Sequence, residues 1–275
     1  MSGRRYFAAF AAALWAMGPV ASFAAQDAGP LPAPPAKAIA FTPPDESTIP
    51  NSPLGDIIRF GKDIFVDTQK YAKRWVGNGL NCVNCHLDAG RKAGSGPLWA
   101  AYVAYPAFRD KTMQVNTFTQ RLDGCFRYSM NGRMPPLDDE VIVALTAYSF
   151  WLATGAPVGA HLAGRGFPEV PAAPLPPDTA RGKDVFATHC ASCHGAAGQG
   201  LQTGATYAMP PVWGRASYNA GAGMVRVSTA AAFIKANMPF GQGNTLTDQQ
   251  AWDVAAFINA QPRPPDPRIK VRSKP

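Results

Sequence analysis

The sequence predicts an all-α chain built as two similar domains in tandem, and three observations carry that expectation. Apolar residues recur at spacings near three and four in the stretches flanking each cysteine cluster, the period of a helix with one buried face. The motif Cys-x-x-Cys-His occurs twice, at Cys82-Val83-Asn84-Cys85-His86 and Cys190-Ala191-Ser192-Cys193-His194, with the first cysteines 108 residues apart. Other landmarks return at nearly that distance: Tyr148 to Phe257 is 109 residues, and Pro97-Leu98-Trp99 is echoed by Pro211-Val212-Trp213.

Taken in order, residues 1–24 read as a signal peptide. Arg4 and Arg5 precede the apolar run Tyr6 to Met17, and Ala21-Ser22-Phe23-Ala24 supplies small residues at a cleavage point after Ala24. No later segment approaches the roughly 18 consecutive apolar residues of a membrane span, so the mature protein is expected to be soluble and periplasmic. Residues 25–52 form a Pro/Ala-rich arm with few large apolar groups. The first domain, 53–155, opens with a helix from Pro53 through Leu54, Ile57, Ile58, Ile64, Phe65 and Tyr71 to Trp75. Gly90 to Gly96 is loop. Residues 137–153 form a second long helix with Val141, Ile142, Leu145, Tyr148 and Leu152 on one face, stopped at Gly155. A Gly/Pro-rich linker spans 156–177. The second domain, 178–262, starts with Asp178 as a helix N-cap and ends with a helix from Thr247 to Ala260, where Thr247 and Gln250 form a capping box. Residues 263–275 are a basic, proline-punctuated tail assigned to the surface.

Cys-x-x-Cys-His is the attachment signature of c-type haem, in which both thiols join the porphyrin and the histidine ligates iron. Two covalently bound haem c groups follow, one on Cys82, Cys85 and His86, the other on Cys190, Cys193 and His194. The halves then read as class I cytochrome c domains, in which a proline carbonyl near Pro97 holds the other nitrogen of the proximal histidine. Cores this small gain much of their apolar interior from the haem. For the second iron, Met238 in Asn237-Met238-Pro239 lies 44 residues past His194, where the methionine ligand of such a domain sits, and Met209 and Met224 are assigned to the core. Methionine ligation raises the potential and suits an electron-exit site. For the first iron the alternatives stay open. Met130 lies 44 residues past His86 and Met134 carries the Met-Pro pair, while Cys125, 39 residues on, is the one cysteine left unpaired. A thiol in an oxidising compartment is buried, bonded or used, and Arg121 and Arg127 favour its thiolate. His161, in the linker, and His189 are assigned no site. The glycines of Gly195 to Gly200 follow a haem histidine rather than a strand, which argues against a phosphate loop.

The formal charge is +8, falling to +6 with loss of Arg4 and Arg5. That balance suits a small anion or an acidic redox partner. No basic run is long enough to indicate nucleic acid.

Three further stretches turn these readings into a resemblance: Leu80-Asn81-Cys82-Val83-Asn84-Cys85-His86-Leu87-Asp88-Ala89-Gly90-Arg91, Arg121-Leu122-Asp123-Gly124-Cys125-Phe126, and Ser129-Met130-Asn131-Gly132. With Pro210-Pro211-Val212-Trp213-Gly214, Ser217 to Met224 and Asn237-Met238-Pro239, the chain from Leu54 to Pro264 resembles the dihaem thiosulfate dehydrogenases of the TsdA type. The resemblance implies oxidative coupling of two thiosulfate ions to tetrathionate, with electrons leaving through both haems to an acceptor c-type cytochrome. It implies Cys125 as the distal ligand of the first haem, beside a substrate pocket containing Arg121, Ser129 and either Arg109 or Lys111. Some members carry a lysine before the second-domain methionine; Asn237 stands there, so plain His194/Met238 ligation is expected. The alternatives are a non-catalytic dihaem electron carrier and a tetrathionate reductase running the same chemistry in reverse.

Overall fold

The computed structural model describes residues 38–204 and 206–269. The leader over 1–24, the arm up to residue 37 and the tail beyond residue 269 lie outside the described residues. Helix α1 (Pro53–Val66) begins where the Ser52 hydroxyl accepts the Gly55 amide and Pro53 occupies the first turn, a position with no N–H to forfeit. The expected continuous helix to Trp75 breaks at Asp67 and resumes as α2 (Thr68–Tyr71) and a 3₁₀ turn, Lys73–Trp75. A distant demand explains the break: Thr68 is fully buried, and its hydroxyl accepts the Cys82 amide at 3.1 Å and donates to Cys82 Sγ at 3.4 Å.

After α3 (Leu98–Val103), the chain forms an antiparallel hairpin of β1 (Ala107–Arg109) and β2 (Gln114–Asn116), then α4 (Phe118–Gly124) and α5 (Glu140–Leu152), which Asp139 caps. The second half runs α6 (Thr179–His189), α7 (Ala191–His194), the hairpin β3 (Leu201–Thr203) with β4 (Thr206–Met209), α8 (Val227–Asn237) and α9 (Asp248–Ala260). Asp178 caps α6, and Thr247 and Gln250 close the capping box of α9. The fold is mostly helical with little sheet, as the expected all-α class requires. Each hairpin is a largely exposed excursion whose two short strands satisfy each other's backbone.

Two apolar cores result. In the first, α1 packs on α5, and Gly61 lets them meet: a Cβ there would lie 2.1 Å from the Ala144 carbonyl oxygen. In the second, α6 packs on α9 with the same device, a Gly182 Cβ falling 2.0 Å from the Asp253 carbonyl oxygen. The Asp253 carboxylate, buried, receives Arg181 Nε at 2.7 Å and Arg181 Nη2 at 2.9 Å. The cores exchange residues. Leu87 packs in the second, Tyr218 and Ala222 in the first, and Met224 touches both.

Residues 156–177 are bound to their surroundings rather than spanning open space: Leu162 is buried in the first core, Phe167 packs on the second, and the Gly164 and Gly166 carbonyls accept the Gly94 and Gly96 amides. The start of the tail is hydrogen-bonded to the body of the protein as well. Asp266 is buried, Arg263 is half-buried, and the Pro262 and Pro264 carbonyls accept the Gly214 and Ala220 amides.

Candidate functional site

Cys82 opens a 3₁₀ turn, Cys82–Asn84, held by Asn84 Oδ1 on the Asn81 amide at 2.7 Å and by Asn81 Oδ1 on the Gln69 amide at 3.0 Å. His86 follows, and its Nδ1 lies 2.6 Å from the Gly96 carbonyl oxygen. The expected proline carbonyl is thus supplied by Gly96, one residue before Pro97. In the second half His194 Nδ1 meets the Pro210 carbonyl at 2.8 Å, again one residue before the proline of the Pro-x-Trp echo. A carbonyl can only accept, so each contact puts the proton on Nδ1 and leaves Nε2 as the donor atom for a metal. Burial lowers the His86 pKa to about 4 against the opposing effect of the Gly96 bond, keeping the imidazole neutral as ligation requires. Burial also pushes the Cys82 thiol up to about 12 and Cys85 to about 11.

These residues face a cavity of about 710 Å³ walled by Phe65, Leu98, Phe118, Phe126, Met130 and Leu145. Two cysteines, a neutral histidine and an apolar slot of this size fit a covalently attached haem.

Cys125 enters the same cavity from a different segment. Thr117 and Gln120 cap α4 reciprocally, and after Gly124 the helix widens into a π turn, Cys125–Ser129, closed by the Met130 amide on the Cys125 carbonyl at 2.9 Å. Such single-turn insertions redirect side chains and recur at functional sites. Arg121, one helical turn earlier, donates from Nη1 to Cys125 Sγ at 2.8 Å. The Cys125 sulfur holds the Arg121 guanidinium above its ordinary pKa despite burial. Ser129 lines the cavity, as does Arg109, whose Nη1 donates to Tyr105 Oη at 2.6 Å. Lys111 does not line it. Its Nζ donates to the Gly221 carbonyl and sits 4.0 Å from the Tyr128 ring centroid, and burial and the neighbouring Arg268 and Arg121 lower its pKa to about 8. Met130 is buried and lines the cavity, whereas Met134 packs on the first core outside it.

The second half closes this site with residues that sequence reasoning missed as site-forming. Tyr218, Met224 and Arg226 line the cavity. Asn219, 1% exposed, donates from Nδ2 to the Arg127 carbonyl at 2.8 Å and to Asn131 Oδ1 at 3.0 Å, and its amide donates to the Tyr128 carbonyl at 3.1 Å. Asn78 spans the same junction, donating to the Ser129 and Ser217 carbonyls at 2.8 and 3.2 Å. Those bonds hold the π turn that presents Cys125. Tyr218 and Met224 lie in the stretch that carries the resemblance, but nothing local marks Arg226.

Cys190 packs partly buried on the second core, in which the Phe186 and Trp213 ring centroids lie 4.8 Å apart, and Cys193 is exposed. Met238 is partly buried against this core. Met209, expected in the core, is 36% exposed on β4, because the hairpin carries it to the surface, and Met224 bridges the two cores. Asn237 is buried, with Nδ2 on the Phe233 and Gly94 carbonyls at 3.1 and 3.2 Å. His189 is exposed and His161 is half-buried. Among the described residues no helix is long and apolar enough to cross a membrane.

A cytochrome c family profile matches residues 179–261. The chain is 55% identical over 229 residues to a thiosulfate dehydrogenase of Stutzerimonas stutzeri, covering 83% of this chain and 75% of that one. To a thiosulfate dehydrogenase of Thiomonas intermedia it is 54% identical over 228 residues, 83% of this chain and 73% of the other. Among solved structures it is similar to the as-isolated thiosulfate dehydrogenase (TsdBA) of Marichromatium purpuratum, with a TM-score of 0.81 and 48% identity over 84% of this chain. It spans about half, 51%, of that solved chain.

Proposed function

Because the chain belongs to the thiosulfate dehydrogenase family of c-type cytochromes, we propose that it is a periplasmic dihaem enzyme joining two thiosulfate ions into tetrathionate. In this reading residues 53–155 form the catalytic cytochrome domain and 178–262 the electron-transfer domain. Cys82, Cys85 and His86 hold one haem, and Cys190, Cys193, His194 and Met238 hold the other. Haem bound at these residues would supply the acceptor for the two electrons of the coupling, with an acceptor cytochrome as their destination.

The observation that carries the proposal is the Arg121–Cys125 contact at 2.8 Å inside the cavity that also contains His86. The thiolate is the form of a cysteine that ligates iron and reacts with sulfur, and Arg121 donates to the sulfur atom that would do both here. Arg121 and Arg109 present guanidinium groups to the sulfonate oxygens of thiosulfate and offset repulsion between two dianions. Ser129 adds a hydroxyl donor. The Cys125 sulfur bonds the terminal sulfur of the first thiosulfate, two electrons leave, and a Cys125 S-thiosulfonate results. The second thiosulfate attacks that outer sulfur, releasing tetrathionate and regenerating the thiolate, as in thiol–disulfide exchange. The charges balance at each step, and two electrons leave per tetrathionate.

Met130, buried in the same cavity, supports one rival: a non-catalytic dihaem carrier in which a thioether ligates the first iron. Reversal of the same steps would make the protein a tetrathionate reductase. The test is steady-state thiosulfate oxidation with ferricyanide, comparing wild type with Cys125→Met and Cys125→Ala. Activity lost in both variants with their haems attached supports the enzyme. Full turnover in Cys125→Ala, or a wild-type ferric spectrum of the first haem with thioether rather than thiolate ligation, overturns the cysteine mechanism.

A further inference from the structure

Arg226 lines the cavity and has no part in the steps described so far. It follows the 3₁₀ turn Gly223–Val225, which packs on the Cys125–Ser129 turn, and it caps the start of α8 with its backbone alone. Its amide donates to the Gly223 carbonyl at 3.2 Å and its carbonyl accepts the Ala230 amide at 3.0 Å, so the backbone that carries the side chain is fixed. The side chain itself is uncommitted: Arg226 is exposed and forms no ion pair among the described residues. The other guanidiniums of the lining are half-buried and engaged, Arg121 on Cys125 Sγ and Arg109 on Tyr105 Oη. Burial lowers the Lys111 pKa to about 8, and the charges of Arg268, Arg121 and Arg226 add to the effect. Arg226 therefore shares one electrostatic field with the arginine that touches Cys125. Against these cations the lining sets one carboxylate among the described residues, Glu169. The wall beside the Cys125 turn thus carries an unpaired, solvent-accessible guanidinium, and the second half of the chain supplies it.

We propose that Arg226 binds the second thiosulfate, the one that attacks the Cys125 adduct. The inference deepens the coupling mechanism above and rests on it. That step sets a dianion against an adduct already carrying a sulfonate, and Arg121 and Arg109 are committed to the first anion. A cation of its own offsets the repulsion on the second. Arg226 offers a planar fork that takes two sulfonate oxygens at once and leaves the terminal sulfur free to attack. Its exposure lets a solute anion reach it while the first site is filled. The terminal sulfur then bonds the outer sulfur of the Cys125 S-thiosulfonate, the bond from that sulfur to Cys125 Sγ breaks, and Cys125 leaves as thiolate. The adduct's single negative charge and the incoming two become the thiolate's one and tetrathionate's two, and no electron is gained or lost in the step.

The test separates the two halves of the reaction in the full-length holoprotein, comparing wild type with Arg226→Gln and Arg226→Lys. Each protein is oxidised with ferricyanide and given one equivalent of thiosulfate, and the Cys125 adduct is read as intact mass. Excess thiosulfate is then mixed in and loss of the adduct is timed. Arg226→Gln is expected to form adduct as wild type does and to lose it about tenfold more slowly at the same thiosulfate concentration, about 1.4 kcal/mol in the barrier. Arg226→Lys keeps the charge without the fork and falls between the two; it decides the matter if the glutamine variant does not fold. Adduct loss at the wild-type rate in Arg226→Gln overturns the proposal. Slower adduct formation also overturns it, moving Arg226 to the first thiosulfate. Unchanged rates with a shifted haem potential in a spectroelectrochemical titration overturn it too, giving the guanidinium to a haem propionate. A wild type that turns thiosulfate over without ever holding the adduct removes the covalent mechanism and this inference with it, a failure visible before any substitution is made.

Discussion

Asn219→Ala tests whether the second half of the chain holds the Cys125 turn in place. The substitution removes the bonds from Nδ2 to the Arg127 carbonyl and to Asn131 Oδ1, and the bond from the Gly221 amide to Asn219 Oδ1 at 3.0 Å. The backbone bond from the Asn219 amide to the Tyr128 carbonyl survives, because alanine keeps its N–H. At 1% exposure no bulk water replaces the lost partners. Three hydrogen bonds at about 1 kcal/mol each cost about 3 kcal/mol. For a folded unit of this size that is a fall of about 6–12 °C in the melting temperature. Two assays read it: thermal unfolding of the holoprotein by circular dichroism, and the ferric spectrum of the first haem, which should become heterogeneous as Cys125 loses its fixed approach. A shift below about 2 °C, with an unchanged spectrum, refutes the claim that these cross-core bonds position the turn.

Two further outcomes follow from the second core. Gly182→Ala places a Cβ 2.0 Å from the Asp253 carbonyl oxygen, and the strain of prising α6 from α9, about 1–3 kcal/mol, outweighs the helix-propensity gain of about 1 kcal/mol; chemical denaturation should show net loss, and a stabilised variant would refute the close crossing. Burial raises the Asp253 pKa, but hydrogen bonds from Arg181, the Asp178 amide and Gln249 outweigh it and hold the carboxyl below its ordinary 3.8. A depressed folded-state pKa contributes stability that is complete above the unfolded value and is lost as pH falls below 3.8 through the folded value. Denaturation midpoints should therefore decline across that acid window, and Asp253→Asn should flatten the decline; an equal slope in both proteins would remove Asp253 as its source.

Some of this molecule is legible residue by residue along the chain. The Asp178 cap and the Thr247/Gln250 box are contacts between residues three apart, so the local sequence suffices to predict them. The cysteine pairs announce their own chemistry, and the odd cysteine count isolates Cys125 before any fold is known. The helix break at Asp67 is not legible, because its cause is a hydrogen bond between Thr68 and Cys82, fourteen residues apart. Nor is the use of Gly96, since a carbonyl is common to every residue and only packing chooses which one meets His86.

The choice between Arg109 and Lys111 shows the same division at the site. Both are cations two residues apart, equivalent as sequence; the fold turns Arg109 into the cavity and spends Lys111 on the Gly221 carbonyl, 110 residues away. Arg263 is the extreme case, a member of a basic tail by composition and a half-buried cation lying over the Tyr218 ring by position. Composition and short spacings determine which chemical groups the chain carries and where its helices begin. Which of those groups face one another is decided by the closure of long loops around two shared cores, because burial and pairing are properties of places that distant segments build together.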